Sequence, residues 1–177
     1  MDVLARIYRE KTNWTESVQT ALDENLLQRN TLASRRRILR EVRQRLVTLH
    51  DSTIAGFPEA SPEEKRAIAL LAVCKCYPFV FAFIRDVLRE KLVVFDNELT
   101  LSDFHSFWNA LSVKHPELDE ITVNSRKKVR QVLFRILAEA GLLKSTRNPV
   151  ITPIFLTPVL EGILRTEGPQ FREAFLA

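Results

Sequence analysis

The sequence predicts a mainly all-α protein with one small β-hairpin. Three observations carry this reading. Apolar residues recur at helical spacing through most of the 177 residues, helix caps of the Ser/Thr/Asn type recur at the segment starts, and glycine is scarce, at four residues. So little glycine argues against a turn-rich sandwich, and no Gly-rich dinucleotide or phosphate-binding loop is present. Apolar residues make up 46% and charged residues 27%, which excludes wholesale disorder.

From the amino end, 3–11 reads as a short helix. Asn13 with Glu16 forms a capping box that opens a second helix to about Asn25. Asn30 or Thr31 opens a long third helix to about His50, with Leu32, Leu39, Val42, Leu46 and Leu49 as its apolar stripe. Arg36, Arg40 and Arg43 stack beside that stripe at i, i+4 and i+7. Arg35 projects onto the apolar side, where it must pair or snorkel. Gly56 to Pro58 reads as a loop. Ser61-Pro62-Glu63-Glu64 supplies an N-cap, a proline at the first helical position and a glutamate at N3. The helix that follows runs to about Cys76, breaks at Tyr77-Pro78, and resumes from Pro78 to about Phe95. These two helices read as the central core pair, with Leu70, Leu71, Phe79, Phe83 and Val87 buried together.

Asp96-Asn97 is the expected boundary between a helical bundle lobe, 1–95, and a second lobe, 96–177. In the second lobe, 98–100 reads as a brief strand and 103–113 as a helix, ended by His115-Pro116. A basic helix then runs from about Val123 to Ala140, capped by Thr122 or Asn124 and closed by Gly141. Two short segments, 142–144 and 150–152, flank Ser145 to Pro149, which is a hairpin signal. Thr157-Pro158 opens a last helix to about Arg165. Strand, helix, helix, hairpin is the order of a winged helix. The basic helix takes the recognition position and Arg147 the wing, although the 115–122 connection is longer than a compact helix-turn-helix turn.

The charge is segregated. Seven arginines between Arg29 and Arg45 are opposed only by Glu41, and five cations between Arg126 and Arg135 by no acid. These stretches hold 12 of the 26 basic residues and one of the 22 acids, so the remainder, with 14 basic and 21 acidic residues, is net acidic. Such polarity is the footprint of a polyanion-binding surface, and arginine suits phosphate. The phosphate-contact candidates are Arg35, Arg36, Arg37, Arg40 and Arg43, with Lys128, Arg147 and Ser125 beside the amides of its helix start. Arg126, Lys127 and Arg130 join them as phosphate contacts, and could also reach base edges if that helix enters the major groove.

No carboxylate pair, nucleophile elbow or metal-ligand cluster stands out. His50, His105 and His115 are scattered, and Cys74 and Cys76 point to different faces of one helix. The sequence therefore predicts no enzyme activity, metal, cofactor or small-molecule substrate. The 67–84 run, 18 residues with one charge, reaches the length of a membrane span. Lys75 within it and the break at Pro78 argue instead for buried helices and no membrane partner.

Three blocks also carry a family resemblance: 25–31 leading into the arginine helix, His115-Pro116-Glu117-Leu118, and 125–143 with its Ser125-Arg126-Lys127-Lys128-Val129-Arg130 start and Ala138-Glu139-Ala140-Gly141-Leu142-Leu143 end. Together they resemble the BrxA family of bacteriophage-exclusion (BREX) defence systems, from about Leu4 to the final helix. The chain departs by starting almost directly at its first helix, without a glycine-containing lead. The resemblance implies a cytoplasmic component of phage restriction that binds double-stranded DNA and works with other BREX proteins. It also implies a first lobe like the antitermination factor NusB, and no catalytic residues. Two alternatives stay open: RNA binding in the NusB manner, and an adaptor whose arginine helix docks an acidic protein.

Overall fold

The computed structural model describes residues 1–176. Ten α-helical segments follow in chain order: α1 Asp2–Lys11, α2 Trp14–Asp23, α3 Leu32–Leu46, α4 Asp51–Gly56, α5 Pro62–Cys76, α6 Pro78–Phe83, α7 Glu90–Val93, α8 Leu101–Lys114, α9 Val123–Ala140 and α10 Pro158–Glu167. Between α6 and α7 the helix continues as a π segment, Ile84–Arg89. Three 3-10 turns, Phe57–Glu59, Pro116–Glu120 and Pro169–Phe175, complete the set among the described residues.

Local chemistry fixes the starts. The Asn13 side chain accepts from the Thr15 and Glu16 amides, and Thr31 from Ser34. Ser61 and Glu64 exchange both bonds of a capping box at 3.0 and 3.2 Å. The bond from the Ser61 amide, with the Thr157 and Ser61 hydroxyls, holds the Glu64 carboxyl below its usual value. Gly141 ends α9 at φ +91°, a left-handed conformation that costs a side-chain-bearing residue strain.

The chain forms two units, 1–76 with 157–169 and 77–156 with 170–176. The division falls at the Tyr77-Pro78 break. The boundary expected at 95/96 lies inside the second unit, and the carboxyl-terminal helix α10 belongs with the first.

In the first unit α1 packs on α2, α3 and α4, and α5 on α3 and α10. Leu4, Leu39, Leu46, Ile54, Ile68, Leu71 and Leu164 are buried. Residues 51–59, of which 56–58 read as loop, are helical: Thr53, Ile54 and Phe57 form a buried face that draws the segment inward. Lys75 resolves its place in an apolar helix through an ion pair with Glu167 at 2.5 Å. The Glu167 side chain is 0% exposed and that of Lys75 20%. The other Glu167 oxygen accepts the His50 amide at 2.8 Å. Among the described residues no single helix is long and apolar enough to cross a membrane. Burial pushes the Cys74 thiol up to about 12.

In the second unit Phe83 lies edge-on to Phe107, and Phe104, Trp108, Phe79 and Phe134 surround this pair. The core pair expected around Pro78 is therefore divided. Leu70 and Leu71 are buried in the first unit and Phe83 in the second, while Phe79 and Val87 are half-buried. The π segment places Ile84 and Leu88 fully inside. Thr100 and Asp103 form a capping box that starts α8 two residues earlier than expected. Burial alone would weaken Lys91 as a cation, but hydrogen bonds to Asp96 and Asp103 raise its pKa and those to Asp96 lower that carboxyl.

The hairpin of 142–152 is present as isolated bridges in place of a regular sheet. Leu143 pairs with Ile151 and Glu98 with Val150, both antiparallel. Lys144 N–H donates to Val150 at 2.9 Å, and Ile151 N–H to Asn97 at 2.7 Å. Segment 150–151 thus lies between 97–99 and 142–144.

Candidate nucleic-acid interface

In the first unit, burial of Leu39 and Leu46 orients α3 and leaves Arg36, Arg37, Arg40 and Arg43 exposed. Arg36, Arg40 and Arg43 line a shallow groove of about 490 Å³ with Val18 and Leu22 of α2 and with Gln44 and Val47. The nearby acid, Glu41, lies 3.6 Å from Arg45. Among the described residues Arg36, Arg37, Arg40 and Arg43 have no carboxylate partner. Arg35 is different. It is half-buried and donates to the Leu22 carbonyl at 3.0 Å, where a cation at the end of α2 is favoured. It belongs to the packing of α2 on α3 and not with the exposed arginines.

In the second unit the basic residues of α9 divide between two flanks. Leu133, Phe134 and Leu137 face inward. Asn124, the adjacent Lys127 and Lys128, Gln131 and Arg135 face solvent, the successive steps outside the lysine pair being three or four residues. Arg126 and Arg130, one turn apart, are half-buried, so the expected trio of Arg126, Lys127 and Arg130 is not one surface. The Arg126 guanidinium lies 5.0 Å from the centre of the Trp108 ring. Arg130 and Arg135 line a depression of about 400 Å³ with Gln131, Phe134, Leu101 and Thr146.

This depression joins α9 to the turn that carries Arg147, which is exposed. Arg135 is counted in the cation run but is not among the contact candidates named from the sequence. Its only signal was its place in the cation run, because the depression exists only once the 145–148 turn folds back.

The helix start is also more constrained than expected. The Ser125 amide donates to the Thr122 hydroxyl at 3.2 Å, and the Ser125 hydroxyl accepts from that hydroxyl at 3.0 Å. The remaining amide donors there are those of Val123 and Asn124. The first turn of α9 contains no acid, and Arg126, Lys127 and Lys128 follow at once, against the helix dipole.

The histidines serve locally. His50 caps α4 through its Nδ1, and His115 meets Glu117 at 3.2 Å. Among the described residues no group of His, Cys, Asp and Glu could hold a metal ion.

These features define a class: an all-helical, two-unit protein whose cationic chemistry is concentrated on an arginine groove in one unit and on α9 in the other. The BrxA family model matches residues 1–168. A "BREX protein BrxA" of Bacillus cereus (strain H3081.97) is 30% identical over 150 residues, covering 84% of this chain and 75% of that protein. A protein of the same description from Escherichia coli O9:H4 (strain HS) is 26% identical over 161 residues, covering 91% and 74%. The chain belongs to the BrxA family. A crystal structure of an uncharacterized protein from Magnetospirillum magneticum has the same fold, with a TM-score of 0.80 at 18% identity over 99% of this chain and 90% of that one.

Proposed function

We propose that this chain is a non-enzymatic, cytoplasmic protein that binds double-stranded DNA, chiefly through backbone phosphates. Membership of the BrxA family makes it a component of a BREX phage-defence system, with other BREX proteins as its partners. The observation that carries the DNA reading is the groove of Arg36, Arg40 and Arg43, three exposed cations with no carboxylate partner among the described residues. Like charges on one helix face repel, by a few tenths of a kcal/mol per pair, and a phosphate run removes that cost.

We read the second unit as winged-helix-like. Helices, extended segment 97–99, α8, α9 and the hairpin follow in winged-helix order, with 150–151 pairing both ways. In that arrangement α9 meets the duplex, and Arg130, Arg135 and Arg147 flank it.

Mobility-shift titrations of duplex DNA, duplex RNA and single strands across 50–200 mM salt test this, as a range over which phosphate contacts weaken steeply. Replacing Arg36, Arg40 and Arg43 by Ala should leave the helical signal intact. It should weaken all duplex sequences alike and lower the salt slope by about 2.7, from about 0.9 per lost phosphate contact. Equal competition by duplex RNA would favour an RNA-binding role in the NusB manner. Unchanged DNA binding with lost defence would favour an adaptor.

A further inference from the structure

From the cation–ring contact at the head of α9, we infer that Trp108 is a positioning residue that holds the Arg126 guanidinium over its ring, so that its outer edge is aimed at one DNA phosphate. The inference rests on the DNA-binding reading and assigns a role within it that neither charge nor exposure alone would give. Arg126 is the least exposed of the three cations at this helix start, so exposure would rank it last.

Two donors at this place go unanswered. The Arg126 Nε and the Trp108 Nε1 are both buried, and neither meets an acceptor among the described residues. Trp108 is 1% exposed, so its ring is a fixed surface set among Phe79 and Phe104. A planar guanidinium stacks on such a face, and an indole is the strongest ring for a cation. With Nε turned inward, the terminal nitrogens form the outward edge. They make no hydrogen bond among the described residues, and they are not among its sealed, unsatisfied atoms.

The direction of that edge follows from the helix. Side chains in a helix lean toward its amino end. Arg126 is the fourth residue of α9, so its guanidinium leans toward the start, where the Val123 and Asn124 amides remain as donors. A cation here is opposed by the helix dipole, and no acid of the first turn relieves it. A packing role alone would be better served by an apolar side chain, which would leave neither a charge at the wrong helix end nor an unanswered Nε. A phosphate oxygen answers the terminal nitrogens and the free amides together. Lysine, a point charge on a flexible stem, could not hold this direction.

The test uses the full chain with Trp14→Phe, so that Trp108 is the sole tryptophan; Phe preserves the stack on Tyr8. A 20-base-pair duplex is the probe. Arg126→Ala should lose about ten-fold in affinity, the scale of one charge-assisted hydrogen bond, and about 0.9 of salt slope. Arg126→Lys should recover less than half of that loss on a logarithmic scale. Trp108→Phe should keep most of the affinity and Trp108→Leu should fall to the level of Arg126→Ala. The double variant Trp108→Leu/Arg126→Ala should be no weaker than Arg126→Ala alone, whereas a merely structural tryptophan would weaken it further. Where Trp108→Leu loses its helical signal, tryptophan emission decides: duplex should change it in the parent and not in Arg126→Ala. Full rescue by lysine, additive losses, or an equal emission change in Arg126→Ala overturns the positioning role while the DNA reading stands. A parent that binds no duplex at any salt overturns both.

Discussion

Replacing Glu167 with Gln probes the contact that allows a lysine inside α5. The Glu167 side chain is wholly buried and meets Lys75 at 2.5 Å, while its second oxygen takes the His50 amide at 2.8 Å. Gln keeps an acceptor for that amide and nearly the same volume. The change therefore isolates the loss of negative charge opposite an ammonium that is 20% exposed. Breaking a buried pair by neutralising one partner costs about 3–5 kcal/mol, and the residual exposure of Lys75 sets the expectation at about 3 kcal/mol. For a chain of this size that corresponds to a fall in Tm of about 6–12 °C. Adding Lys75→Met removes the ammonium left facing a neutral amide at 167, so the double variant should return to within about 1 kcal/mol of the parent. Thermal and urea unfolding followed by circular dichroism measures both. A Glu167→Gln variant within about 1 kcal/mol of the parent, or a double variant no better than the single, refutes the assignment of a stabilising charge pair.

Three further outcomes are expected. Arg130→Ala should weaken a selected duplex and a random duplex equally, with the salt slope down by about one unit; a loss confined to one sequence would make α9 a base reader. Lowering pH should destabilise the fold through Asp2 and Asp96. At Asp2, burial pushes the carboxyl up but hydrogen bonds from Lys65 and Arg6 outweigh it. At Asp96 the Lys91 hydrogen bond leads, with the Glu98 amide. Both carboxyls are held below the usual 3.8, so their stabilisation is complete above that value and is lost as pH falls below it. Lys91→Ala should flatten the Asp96 part of that acid limb in a pH series of urea midpoints. Cys74, with its thiol pushed up to about 12, should escape alkylation at pH 8 in the native state and react on unfolding, as peptide mass spectrometry would read; native-state labelling there would contradict its burial.

The parts of the fold that were legible in the sequence are those set by near neighbours. The Ser61–Glu64 box, the Thr31, Thr122 and Thr157 caps and the glycine at 141 are decided within a turn of chain, and each lies where its spacing put it. The parts that were not legible depend on distant partners. Residues 51–59 carry no apolar period long enough to announce a helix, and it is burial of Ile54 and Phe57 that makes one. Lys75 marked an anomaly, but its counter-charge lies 92 residues away. The same holds for the candidate interface. The Arg36, Arg40, Arg43 alignment follows from helical period alone. The turning-in of Arg35, the placing of the Arg126 guanidinium over Trp108 and the depression that Arg135 and Thr146 share need the folded neighbours.

The division of the chain bears on the order in which it can fold during synthesis. Residues 157–169 complete a unit whose other members end at Cys76, so the first unit waits for the whole second stretch to be made. Until α10 emerges, Glu64 lacks Thr157 and Lys75 lacks Glu167. The second unit in turn receives residues 170–176 last, when Ile154 N–H finds the Phe175 carbonyl at 3.0 Å. Closing loops of this length slows assembly more than it weakens the product. A nascent chain halted before residue 157 would hold apolar faces of α5 open to chaperones. The amino-terminal arginine groove is thus built on a unit that matures only once residues 157–169 have been made.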